Sequence, residues 1–80
     1  MPVKKVFITT RNIVTIRVRI NGHEPEPMRV VRLGREPEIG ETFKAVPTRF
    51  RTNKLGTKIL VVRSITEENG ITIHHCEIVL

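Results

Sequence analysis

The chain has 80 residues, 39% of them hydrophobic, and a formal net charge of +6 with a pI near 10.5. A chain of this length folds as one domain, 1–80, and buries only about 60–65% of the surface its unfolded form exposes, so its core is single and modest. The only cysteine is Cys76, which excludes an internal disulfide and suits a reducing compartment.

Lys4 to Thr9 reads as a short β-rich run, and Thr10-Arg11-Asn12 as a turn or bulge. Residues 14–20, V-T-I-R-V-R-I, alternate strictly, with Val14, Ile16, Val18 and Ile20 on one face and Thr15, Arg17 and Arg19 on the other. That period of two is the mark of a half-buried strand. Asn21-Gly22 signals a turn, but Pro25 and Pro27 cannot donate ladder hydrogen bonds, so a longer loop over 21–27 is expected.

Met28 to Leu33 predicts the next strand, and "GREPEIG" at 34–40 a loop that delivers the chain into a strand over Glu41 to Val46. Pro47 places that strand at an edge or ends it. The "TNKLG" segment is a turn, with Gly56 suited to a positive φ. Thr57 to Thr66 is apolar on both parities, which predicts burial on both faces. Glu67-Glu68-Asn69-Gly70 reads as a four-residue hairpin loop, followed by a strand from Ile71 to Leu80. The apolar parity flips along that strand, which predicts a bulge near His74-His75.

Nothing shows helical periodicity. Five or six short strands must hide their edges, and closure does so. The expected fold is therefore an all-β, small five- to six-stranded antiparallel barrel. From Met28 onward, about two thirds of the chain, the apolar strand, the phrase "PEIGETF" and the following meander resemble SH3-like small barrels. An OB-like barrel or an open β-sandwich is the alternative.

No catalytic template is complete. Phosphate-cradling glycine motifs are absent, Asp is absent, and the Glu24/Glu26 and Glu36/Glu38 pairs stand in Pro-containing loops where carboxylates stay hydrated. Ser64, the one serine, lies mid-strand without a nucleophile elbow. The chain is read as non-catalytic, with no cofactor. "ITIHHCEI" holds the only ligand-type cluster, and strand alternation puts His74 and Cys76 on one side and His75 and Glu77 on the other. His74 and Cys76 are thus weak metal candidates, two ligands where a structural zinc takes four. No apolar run approaches the ~18 residues of a membrane span, so a soluble, cytoplasmic protein is expected.

The charge is segregated. Residues 1–23 and 42–66 contain no acid, whereas 24–41 hold five of the eight glutamates. This distribution predicts a basic surface for an anionic partner. Arg17 and Arg19, two apart on a strand, project about 7 Å apart, comparable to neighbouring phosphates. Arg49, Phe50, Arg51, Lys54 and Lys58 form an acid-free basic stretch, and Arg11 and Arg63 add to it. The expectation is nucleic-acid binding, DNA or RNA, through phosphates with little sequence specificity. Roughly five contacts give a salt slope near −4 to −5 on duplex DNA. The competing expectation is a protein-binding adaptor or inhibitor with an acidic partner, or a small structural component of a larger, even viral, assembly; a homodimer is compatible with either.

Overall fold

Five strands close into a ring in the computed structural model, which describes residues 13–50 and 56–79. In chain order they are β1 (Val14–Ile20), β2 (Glu26–Val30), β3 (Thr42–Pro47), β4 (Lys58–Glu68) and β5 (Ile71–Ile78). Each pairs antiparallel with its successor. The closing pair differs: β5 lies parallel to β1, with Arg17–Ile20 against Ile73–Cys76. An odd number of alternating strands brings the first and last together in the same direction, so the expected all-antiparallel ring is corrected on geometric grounds. The strand expected over Lys4 to Thr9 lies outside the described residues.

The alternation of β1 holds. Ile16, Val18 and Ile20 point into the ring and are buried, while Thr15 and Arg17 are exposed and Arg19 is half-buried. They meet Met28, Val30, Phe43, Ala45, Leu60, Val62 and Cys76 in one apolar core. β4 departs from expectation, because only Leu60 and Val62 are buried; Ile59 is 42% exposed and Val61 half-buried on the outer face. Among the described residues no second layer covers that side.

Turn chemistry shortens two predicted loops. Asn69 (φ 53) and Gly70 (φ 79) both adopt left-handed backbone, so the β4–β5 connection has two residues, not four. Such turns match the right-handed twist of the strands they join. Asn21 (φ 50) and Gly22 (φ 79) make the same turn after β1, closed by His23 N–H donating to the Ile20 carbonyl at 2.9 Å. β2 then starts at Glu26, so Pro27 is in the strand rather than in the loop. Its carbonyl accepts from Thr48 N–H at 3.2 Å, past the last rung between Met28 and Pro47, where the missing donor costs nothing. β3 does end at Pro47.

The predicted bulge exists on the facing strand. Val62 pairs with Cys76 and Ser64 with His75, leaving Arg63 as the extra residue of β4. β5 itself runs unbroken. Its parity flip has another cause: Ile71 and Ile73 lie on the outer side, where Arg17, Pro25, Glu68 and Asn69 join them around a groove of about 190 Å³.

Leu60→Ala is expected to cost about 2–5 kcal/mol in urea unfolding and Ile59→Ala under ~1 kcal/mol. Equal losses at the two positions would contradict a core confined to one face of β4.

Candidate functional site

Three of the predicted contact residues, Arg11, Arg51 and Lys54, lie outside the described residues. Of the remaining six, the five cations separate into two groups. Arg19, Arg49 and Arg63 are each tied to a glutamate: Arg19 to Glu68 at 3.3 Å, Arg49 to Glu26 at 2.5 Å, and Arg63 to Glu77 at 3.1 Å. Arg19 also donates Nε–H to the His23 carbonyl at 3.2 Å. It therefore clamps the β1–β2 turn to the tip of the β4–β5 hairpin. Among the described residues, Arg17 and Lys58 have no acidic partner.

These two cations do not share a face. Arg17 projects from the outside of β1, next to Pro27 and Ile73. Lys58 follows the inward parity of Leu60 and Val62 and sits half-buried at the start of β4, where the ring opens. Arg32 and Lys44, not singled out by sequence, are exposed and also lack an acidic partner. Lys44 stands on the outer face of β3, and its place in the alternation of 42–47 was the signal that could have revealed it.

Phe50 is half-buried rather than an open stacking platform. The Arg49 guanidinium lies 5.0 Å from its ring centroid, and Arg29 Nη2 donates to its carbonyl at 2.8 Å. Its ring also rests on Gly56, where an added Cβ would overlap ring carbons. Gly56 has φ +76, a conformation that glycine adopts freely. The two ends of the 51–55 segment are therefore pinned together, with Arg49 and Lys58 on the flanks.

Charge is distributed unevenly over the chain. All eight glutamates but only nine of the fourteen Lys and Arg residues fall in 13–50 and 56–79, a net formal charge of +1. The other five cations (Lys4, Lys5, Arg11, Arg51 and Lys54) stand in 1–12 and 51–55 without an acid. Arg35 adds a two-pronged pair to Glu41, at 2.8 and 2.7 Å. That pairing, with the Glu38 N–H, holds the Glu41 carboxyl down at about 2.

His74 and Cys76 do share the inner side. Cys76 Sγ lies 3.6 Å from the His74 carbonyl, and burial pushes the thiol up to about 11, so it stays protonated and poorly reactive. Both His74 ring nitrogens are buried without a hydrogen-bond partner, and Glu36 Oε1 is 3.8 Å from Nε2. Burial lowers the His74 pKa; the Glu36 carboxylate opposes this and the His75 ring adds to it. Among the described residues, no three His, Cys, Asp or Glu side chains gather to hold a metal, and no helix is long and apolar enough to cross a membrane.

Comparison with family models, with curated proteins and with solved structures finds no match to this chain.

A buried neutral histidine whose folded pKa lies below its unfolded value stabilises the fold fully above about pH 6.5. Its contribution is lost as pH falls through the folded pKa, so melting temperature should drop below pH 6.5, and His74→Leu should flatten that limb. A second drop between about pH 4.5 and 2 belongs to Glu41 and should weaken in Arg35→Ala. At Gly56, alanine should cost about 1–3 kcal/mol, read by urea unfolding, and Phe50→Leu should recover part of it by vacating the overlap.

Proposed function

We propose that the chain is a non-catalytic nucleic-acid-binding module that holds DNA or RNA through phosphates with little sequence preference. In this reading the ring is an SH3-like small barrel of the cytoplasm. The observation that carries the proposal is the placement of charge: the ring nearly neutralises itself, and the excess is concentrated in acid-free segments, one of them leaving the pinned Phe50–Gly56 base. A fold that only needed solubility would not require that separation. Arg17, Lys58, Arg11, Arg51 and Lys54 are the proposed phosphate contacts; because Arg17 and Lys58 stand on different faces, the bound strand has to wrap from one to the other. The ion-paired Arg19, Arg49 and Arg63 serve the fold first. With one half-buried phenylalanine in the region, stacking readout of bases is minor.

The alternative, a protein-binding adaptor or assembly component, draws support from the exposed edge of β4. Fluorescence anisotropy with labelled duplex DNA, single-stranded DNA and RNA at two salt concentrations separates the readings. Five phosphate contacts predict a logarithmic salt slope of about −4 to −5 on duplex DNA. Arg17→Ala and Lys58→Ala should each make it shallower by about 1, while Arg63→Ala leaves it unchanged. No salt-sensitive binding at low ionic strength would end the nucleic-acid reading.

A further inference from the structure

The β4–β5 hairpin runs past the ring. β3 pairs with β4 only from Lys58 to Val61, and at Val62 the edge of β4 is still occupied, with Gly40 N–H donating to the Val62 carbonyl at 2.8 Å and Val62 N–H to the Glu41 carbonyl at 3.1 Å. Beyond the bulge at Arg63, Ser64 to Glu68 pair, among the described residues, with β5 alone, and all five are exposed. Such an edge presents unpaired N–H and C=O groups to any strand that can lie beside it. The run S-I-T-E-E contains no proline and no lysine, the residues that commonly blunt an edge.

The side chains along this edge favour one occupant. Arg63 and Ser64 stand on the outer side together, as the Arg63–Glu77 pair at 3.1 Å and the bulge require. Thr66 and Glu68 share that side, Thr66 bonded to His75 at 2.6 Å and Glu68 to Arg19. We infer that the Ser64–Glu68 edge pairs antiparallel with the same edge of a second copy of this chain, about a two-fold axis at Thr66.

In that register Thr66 faces Thr66 of the second copy, and Ser64 faces Glu68. Arg63, next to Ser64, comes within reach of the same carboxylate. Opposite charges and hydroxyls thus meet on the outer side at both ends. On the inner side Ile65, 38% exposed, lies against the stem of Glu67. A two-fold contact of this kind is closed and self-limiting. The Arg63–Glu77 pair is more than half exposed on both sides, so diverting Arg63 costs little. The register stops two residues short of Val62 and avoids the 38–41 segment. An arbitrary acidic or basic strand would match only one end of the row. Five rungs a side make a small interface, well under the ~1,200 Å² of stable complexes, so the association is weak and needs high concentration. The inference is independent of nucleic-acid binding.

Sedimentation equilibrium of the full chain from about 5 µM to 0.5 mM should show monomer and dimer in concentration-dependent exchange. Arg63→Glu should weaken association at least about tenfold, although it lowers the net charge and with it the general repulsion between copies. Thr66→Cys under oxidised glutathione should give a covalent dimer, because Cα atoms facing each other across strands lie in disulfide range; Glu24→Cys, in a distant loop, should not. A chain monomeric at 0.5 mM overturns the inference. So does an association that Arg63→Glu leaves unchanged, or one in which the two cysteine variants cross-link equally. Circular dichroism melts of each variant, matched to the parent, tie every outcome to the interface.

Discussion

The parallel pairing of β1 with β5 is the constraint on which the rest of this structure depends. The other four pairings join neighbours in sequence and could form as a simple meander. Only the contact of Arg17–Ile20 with Ile73–Cys76, capped by Asn21 N–H donating to the Cys76 carbonyl at 3.0 Å, converts the meander into a ring. It brings together segments more than fifty residues apart, so its loop-closure cost is the largest in the fold. That cost is met by burying Val18, Ile20 and Cys76 on one side of the seam and Ile73 on the other.

Closure also decides which charges are free. It sets Arg19 beside His75 and within reach of Glu68, so a cation that looks like half of a phosphate-spaced pair becomes a structural clamp. Arg17, one pleat away, keeps its outward direction without an acidic partner. Two residues with the same parity and nearly the same surroundings in sequence thus take different roles, decided by what the ring brings near.

What was legible in the sequence is what local physics controls. The V-T-I-R-V-R-I run specified both faces of β1, and Pro47 marked the end of β3. Gly56 announced its positive φ, and the inward pairing of His74 with Cys76 followed from alternation. Illegible were properties set by distant partners. Pro27 looked like a strand breaker because its harmless position at the end of a ladder depends on where Thr48 arrives. The parity flip in β5 suggested a bulge there, but the extra residue is Arg63 across the ladder, and the flip reflects Ile71 and Ile73 facing a groove. Ile59 and Val61 looked buried because apolar runs do not declare whether a second layer exists. The expected basic patch suffered the same limitation. Segregation of charge along the chain was plain, but the pairing of Arg19, Arg49 and Arg63 with Glu68, Glu26 and Glu77 spans up to forty-nine residues and needs the fold.

The most direct test of this account is amide hydrogen exchange followed by NMR under native conditions. If the β1–β5 seam closes the ring, the hydrogen-bonded amides of residues 17–20 and 73–76 should exchange only with global unfolding, in step with those of β3 and the first half of β4. Exchange of the seam through a low-energy local opening, while β2 to β4 stay protected, would show an open meander and contradict the account.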